Sequence, residues 1–426
     1  MNDTATKHPE GEDLLVIGGG IAGMTAAIEA AEAGCRVVLV EKSPSLGGRV
    51  AAVNQYFPKL CPPACGLEIN YKRIKNNPAI QVLTMAEVEN VTGEPGDYTV
   101  SVRIAPRYVT EACTLCGDCT DACKVEIPDP FNFGLSKTKA AGMVHKGAFP
   151  AQYVIHREAC PDNCRSCEAA CQYGAVHLAQ QVERRTFHVA AVVAATGWAP
   201  YDAAKLDNLG YGKTPDVVTN VIMERLASPD GPTGGKILRP SDGKAPSRVA
   251  FVQCAGSRDE NHLPYCSAVC CPASLKQATY VREQHPDAEV TIFYIDIRTL
   301  GRLEDFYSKV AKDEKIRLVK GKVAKVSGDA GTGGVTVEVE DVMGGRKLTE
   351  TFDLVVLATG IVPQTDGLPE GFVLDEFNFI AQPAGRTGLY AAGCARRPEE
   401  VSATVQDGTG SALRAFQCVV RSAHHG

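Results

Sequence analysis

DLLVIGGGIAGMTAAIEAAEAGCRVVLVEK, residues 13–42, is the stretch on which the fold turns. Residues 13–20 are a short apolar run ending in glycines, and residues 21–34 have helical spacing and composition. Gly34 stops the helix, and residues 35–42 make a second strand that ends in Glu41. Gly18, Gly20 and Gly23 thus form G-x-G-x-x-G between strand and helix, with an acid about twenty residues on to hold a ribose hydroxyl. A turn without side chains lets a helix N-terminus approach a pyrophosphate closely. The rival, a plain glycine turn, does not explain the strand, helix, second strand and acid in that order.

The 426 residues suffice for two or three domains with substantial cores. Glycine is abundant (41), aromatics are few, and the formal net charge is −6. That balance suits an α/β protein and argues against nucleic-acid binding, which leaves a basic footprint. No apolar run approaches the roughly 18–20 residues that span a bilayer. The polar start MNDTATKHPEGED has no signal-peptide core. The expectation is a cytoplasmic protein whose membrane association, if any, comes through partner proteins.

Cysteine is the most informative residue type. There are seventeen, and eight lie in two tight groups between 113 and 171. Thiols clustered in a reducing compartment point to metal. CTLCGDCTDAC (113–123) is C-x2-C-x2-C-x3-C, the ferredoxin spacing for a [4Fe–4S] cluster, and CPDNCRSCEAAC (160–171) is one residue longer in its first gap. The fourth cysteine of such a run ligates the other cluster. Cys113, Cys116, Cys119 and Cys171 are therefore assigned to one cluster, and Cys160, Cys164, Cys167 and Cys123 to the other. The proline that usually follows the fourth cysteine is missing in both runs, where Lys124 and Gln172 stand. Zinc on the two C-x2-C pairs is the alternative.

The chain also repeats itself. HVAAVVAATGWAP (188–200) and TFDLVVLATGIVP (351–363) are near-copies, suggesting two nucleotide-binding units. Laying RVAFVQCAGSRD (248–259) on EDLLVIGGGIAG (12–23) pairs Cys254 with Gly18, Gly256 with Gly20 and Asp259 with Gly23. Two of three glycines are gone, so the second fold persists without its phosphate site, although Asp296 stands near the acidic position. NAD(P)H binding there is not expected. Four further cysteines, Cys254, Cys266, Cys270 and Cys271, crowd the same region. Buried thiols, a disulfide and a third cluster are the competing readings, the third being preferred. Cys61 and Cys65, spaced C-x3-C, are candidate redox thiols or simple packing residues.

Several segments resemble known flavoproteins. Gly47–Gly48–Arg49 after Lys42 is similar to the second glycine motif of two-dinucleotide-binding-domain enzymes. The ATG strand ends, with Thr196, Gly197 and Gly360, and GLYAAGCA (388–395), with Gly393, are similar to their flavin segments. This favours FAD on Gly18, Gly20, Gly23, Glu41, Lys42, Gly48, Arg49, Thr196, Gly197, Gly360 and Gly393. Cys394 stands where many relatives have Asp. Together with the cysteine insert, FVQCAGSRD…PYCSAVCC and LYAAGCARRPEE, nearly the whole chain resembles the A subunit of heterodisulfide reductase. The resemblance implies an α/β fold with two thioredoxin-reductase-like, Rossmann-type domains and an inserted two-cluster ferredoxin-like domain. It also implies a cluster on the set ending in the adjacent pair Cys270–Cys271. Expected divisions are 11–105 (FAD domain), 106–180 (insert), 181–244 (FAD domain return), 245–350 (second nucleotide-binding-like domain) and 351–426 (FAD domain, C-terminal part).

Length and ends make the chain most similar, within that family, to the A subunits of quinone-interacting membrane-bound oxidoreductases of sulfate reducers. That resemblance implies electron transfer between menaquinone and adenylylsulfate reductase. The partners it implies are a related B subunit, which carries flavin and iron–sulfur groups, together with a membrane haem C subunit. Rival readings are a flavin-bifurcating protein of heterodisulfide-reductase type, an NAD(P)H-dependent oxidoreductase like the small chain of glutamate synthase, and a non-catalytic wiring protein.

Overall fold

The computed structural model describes residues 12–329, 331, 333–382 and 387–425. The chain divides into two compact units, one of Met1–Ala51, Ala64–Trp198 and Pro363–Gly426, the other of Ala52–Pro63 and Ala199–Val362.

In the first unit five parallel strands run in the order Leu389–Ala391, Ala191–Ala194, Leu14–Ile17, Val37–Glu41, Ile80–Thr84. Its central strands are almost wholly apolar because a parallel sheet is covered on both faces. Helices Ile21–Glu32 and Val401–His425 pack together on one face. The other face meets an antiparallel sheet of Ala86–Glu94, Asp97–Ile104 and Glu183–Val189 through Leu15, Val38, Val40, Val91, Val100 and Val192. Alternating apolar positions on these three strands supply the buried half, as period-2 patterning requires.

The second unit repeats this plan. Its parallel order is Val217–Thr219, Leu354–Thr359, Arg248–Ala255, Glu289–Tyr294, Ile316–Lys320. Its antiparallel sheet is Val323–Gly328, Val335–Asp341 and Arg346–Phe352. Residues 199–244 and 351–362, expected with the FAD domain, fold with this unit instead. The reason is that Val217–Thr219 and Leu354–Thr359 pair into its sheet, and only after Val362 does the chain return.

The cysteine-rich segment leaves the first unit's antiparallel sheet after Ile104 and returns to it at Glu183, two residues that are direct antiparallel partners. Its two ends therefore lie side by side, so it interrupts a hairpin without disturbing either strand. Among the described residues no helix is long and apolar enough to cross a membrane.

Helices Asn220–Ala227 and Cys270–Gln284 of the second unit share a buried ion pair, Glu224 Oε1 to Lys276 Nζ at 2.9 Å. Glu224 also accepts from Gln277 Nε2 (2.6 Å), the Asn54 backbone N–H (3.0 Å) and the Tyr280 hydroxyl (3.3 Å), and Lys276 donates to the Gln55 carbonyl (2.7 Å). The pair thereby fixes segment 52–63 to this unit. Removing one partner strands a buried charge. Glu224→Ala should cost about 3–5 kcal/mol, and the double change Glu224→Leu with Lys276→Met should recover much of it. Denaturant unfolding of the three chains checks both.

Candidate functional site: a glycine turn and three cysteine-lined cavities

The first glycine turn is built by close approach. A β-carbon on Gly18, whose φ is +104°, would lie 2.3 Å from the Ala195 carbonyl oxygen. On Gly23 it would lie 1.8 Å from the Gly18 oxygen. The strand, turn and helix can meet only without those carbons. Gly20 differs, since nothing lies within 4 Å of its missing β-carbon. That open space at the start of helix Ile21–Glu32 is where an anion would be received.

Other parts of the unit converge on this turn. Glu41 is buried, and its carboxylate accepts from the backbone N–H groups of Gly19 (2.5 Å) and Ser43 (2.7 Å). Gly19 escaped the motif reading. Its β-carbon would fall 2.4 Å from Leu46, a constraint legible only once Leu46 is folded back over the turn. Gly48, at φ +54°, presses its backbone on Gly20, whose α-carbon lies 2.9 Å from its missing β-carbon. Arg49 donates to the Trp198 carbonyl at 3.2 Å and lies 5.6 Å from the indole centroid. Burial lowers its pKa, and among the described residues it has no ion-pair partner. Thr196 holds a buried hydroxyl with no hydrogen-bond partner, and Gly197 is at φ +76° with open space beside it.

Gly393 packs against the first turn of the same helix, its missing β-carbon 2.8 Å from the Ala22 methyl, and its N–H donates to Asp407 at 2.8 Å. Cys394 beside it is buried and donates to the Glu399 carbonyl at 3.4 Å. Asp407, on the last helix, was not singled out from sequence, because it lies fourteen residues from Gly393. An open space at a helix start, an orphan hydroxyl and an unpaired guanidinium together fit a dinucleotide.

Two expected members stand elsewhere. Lys42 is exposed and ion-paired with Glu87 at 2.6 Å. Gly360 belongs to the second unit, where a β-carbon would meet Ser257 Oγ at 2.3 Å and Ser267 Oγ at 2.7 Å. Each ATG strand end serves its own unit.

The twelve clustered cysteines divide among three cavities. Cys113, Cys116, Cys119 and Cys171 line one of about 290 Å³. Cys123, Cys160, Cys164 and Cys167 line a second of about 280 Å³. Two short helices, Asp118–Ala122 and Ser166–Ala170, each carry the buried third cysteine of a run. Each ends at the fourth cysteine in extended conformation, which sends Cys123 and Cys171 across to the opposite set. Burial pushes the Cys167 thiol up to about 11 and raises Cys119 and Cys160. Cys164 is lowered, chiefly by the Ser166 backbone N–H.

Cys254, Cys266, Cys270 and Cys271 line the third cavity, about 280 Å³, with Arg258, Asp296 and Arg298. Here the turn between strand and helix is residues 256–269, against 18–20 in the first unit. Cys254 ends a bulged strand at φ +55°, a left-handed conformation uncommon for a residue with a side chain. A β-carbon on Gly256 would lie 2.7 Å from the Tyr201 ring, and Asp259 is ion-paired with Lys322 at 2.7 Å. Asp296 is taken by Arg258 and by Arg298, the latter at 3.2 Å. Where the first turn has Gly18 and Gly23, this one carries the side chains of Cys254 and Asp259. Burial pushes Cys254 up to about 11 and Cys270 well above the ordinary thiol value. Such thiols remain protonated unless a cationic group compensates them.

Among the described residues, no group of three or more His, Cys, Asp or Glu side chains is arranged for a single metal ion. The sulfurs instead surround spaces of several atoms' size. Cys65 is exposed, near the start of helix Ala64–Lys75, and Cys61 is half-buried in segment 52–63, its carbonyl accepting from the Tyr56 N–H at 2.8 Å. The two belong to different units.

Residues 13–97 match the family profile described as FAD dependent oxidoreductase. The chain is 37% identical over 430 residues to the A subunit of the ferredoxin/F(420)H(2)-dependent CoB-CoM heterodisulfide reductase of Methanosarcina acetivorans, covering 97% of this chain and 54% of that protein. It is 36% identical to the A subunit of the H(2):CoB-CoM heterodisulfide,ferredoxin reductase of Methanothermobacter marburgensis, covering 96% of this chain and 64% of that one. The chain thus spans between half and two thirds of these relatives' length. Among solved structures, T. acidophilum thioredoxin reductase superposes with a TM-score of 0.54 at 16% identity, covering 95% of this chain and 98% of that one. Lactococcus lactis thioredoxin reductase gives 0.53 at 15% identity over 96% and 99%. These establish the fold, an α/β assembly of Rossmann-type units.

The open space at Gly20 gives a clean test. Gly20→Val, at an ordinary φ of −72°, should leave thermal unfolding within about 0.5 kcal/mol of the parent while abolishing FAD retention. Gly23→Ala, which meets a carbonyl, should lose both fold stability and flavin.

Proposed function

From the premise that this chain belongs to the family of heterodisulfide reductase A subunits, we propose that it is an FAD- and iron–sulfur-containing electron-transfer protein. The observation that carries this reading is the partition of twelve cysteines into three four-cysteine cavities. FAD supplies the exchange between two-electron and one-electron chemistry, and [4Fe–4S] clusters carry single electrons.

The chain's own residues prepare the flavin site. Gly18, Gly20, Gly23 and Gly48 leave backbone amides and space for the pyrophosphate, Glu41 ties the turn to the second strand, and Arg49 brings a guanidinium without an ion-pair partner among the described residues. Thr196 and Gly393 complete the wall. The three sets, Cys113/Cys116/Cys119/Cys171, Cys123/Cys160/Cys164/Cys167 and Cys254/Cys266/Cys270/Cys271, each hold one cluster. Electrons enter and leave through protein partners, because the second turn has lost two of its three glycines and committed Asp259 and Asp296 to ion pairs.

Both methanogen relatives are named for heterodisulfide reduction, and the chain is read as part of a complex of that type. The link to menaquinone and adenylylsulfate reductase, implied by the resemblance in length and ends, gains no support from those names. The reading of heterodisulfide-reductase type therefore replaces it as the main one.

Anaerobically purified chain should contain one FAD and about twelve irons with matching acid-labile sulfide. About eight irons would remove the third cluster. Neither NADH nor NADPH should bleach the flavin in stopped-flow mixing, and rapid bleaching would restore the NAD(P)H-dependent reading.

A further inference from the structure

The second unit keeps an acid at the end of its second strand, Asp296, although its phosphate turn is gone. Its carboxylate is shared between two guanidinium groups, Arg258 on the cysteine-bearing turn and Arg298 two residues along. All three side chains line the third cavity. Two positive charges against one negative leave an excess of positive charge at its wall. The walls of the other cavities differ: among the described residues the first is lined by no Lys or Arg and the second by Arg157 alone, with Arg107 and Lys124 standing behind them.

Arg258 and Arg298 both line the cavity with the four sulfurs. Arg298 lies two residues beyond Asp296, which holds its guanidinium at 3.2 Å on that wall. The Ala268 N–H also donates to the Cys266 sulfur at 3.4 Å. Adding an electron to a thiolate-bound cluster increases its negative charge. A neighbouring guanidinium, and N–H groups directed at sulfur, stabilise the reduced form more than the oxidised one.

We propose that Arg298, held in place by Asp296, is a positioning residue that raises the reduction potential of the cluster on Cys254, Cys266, Cys270 and Cys271. This rests on the reading that the third set holds a cluster. The acid that would grip a ribose in a nucleotide-binding unit has been turned to anchoring a cation beside a metal site. The third cluster then lies above the two insert clusters in potential.

The experiment is an EPR-monitored redox titration of the full anaerobic chain, its Arg298→Gln and Arg298→Lys variants, and Asp296→Asn, with iron counted in each. In the parent, the signal lost when Cys266 is changed to Ser should titrate at the highest potential. Arg298→Gln should shift that signal to lower potential with iron content unchanged, and the two insert signals should stay put as internal controls. Arg298→Lys should shift it less, and Asp296→Asn, which frees the guanidinium, should also move it. An unmoved third signal in Arg298→Gln at full iron content overturns the proposal, as does an equal shift of all three signals. Loss of four irons in Arg298→Gln would make the residue a requirement for assembly and also overturn tuning. A parent chain with only about eight irons would overturn the cluster reading itself, a distinct failure visible before any arginine is changed.

Discussion

The contact between Gly23 and Gly18, closer than any β-carbon could allow, is the constraint on which the first unit depends. It lets helix Ile21–Glu32 lie directly on the strand end, and the other features gather around that junction. Gly48 rests on Gly20, Gly393 on Ala22, and Glu41 knits the turn to the neighbouring strand. Each is a place where side-chain volume has been removed so that backbone can approach backbone. The outcome is a helix start with open space in front of it, the physical requirement for holding an anionic pyrophosphate.

The second unit shows what the same frame becomes when that constraint is lifted. Its sheet order, its meander and its covering helices repeat the first. Its turn has grown to residues 256–269, and Tyr201, Lys322, Arg258 and Arg298 occupy the surroundings. Four thiols now converge there, and burial favours the protonated form of Cys254, Cys270 and Cys271. A nucleotide and such a sulfur set cannot share one turn, because the first needs empty space and bare amides and the second fills both.

Much of this was legible in the sequence because it depends on spacing. Cys123 lines a cavity with the second run and Cys171 one with the first, a crossing that chain reach allows, and Cys254 lines a third with Cys266, Cys270 and Cys271. The loss of glycines at Cys254 and Asp259 could likewise be read by alignment of the chain with itself. What spacing does not carry is direction. Lys42 turns outward to Glu87, and Gly360 stays with its own unit, since a side chain's orientation depends on partners distant in sequence. The domain limits were misplaced for a related reason. Strands Val217–Thr219 and Leu354–Thr359 have the composition of any buried parallel strand, and only pairing tells which sheet they join.

The location of the insert has a mechanical consequence. Because Ile104 and Glu183 are paired, a large excursion can be attached there without changing the flavin unit's sheet. The excursion is nonetheless not left loose. Arg107, buried and without an ion-pair partner among the described residues, donates to the Pro44 carbonyl at 3.0 Å and to Gln152, while the Leu46 N–H donates to the Phe149 carbonyl at 2.8 Å. Tyr71 stacks on Phe149 with ring centroids 5.2 Å apart. Pro44 and Leu46 lie in the short loop that runs through Gly47 into helix Gly48–Ala51, which carries Arg49, so the segment that shapes the dinucleotide site also anchors the insert. Gln152 passes the connection on, donating to the carbonyl of Val109, a residue in the wall of the Cys113 cavity. The glycine turn and the first cysteine set are therefore tied together by packed backbone and hydrogen bonds within one unit.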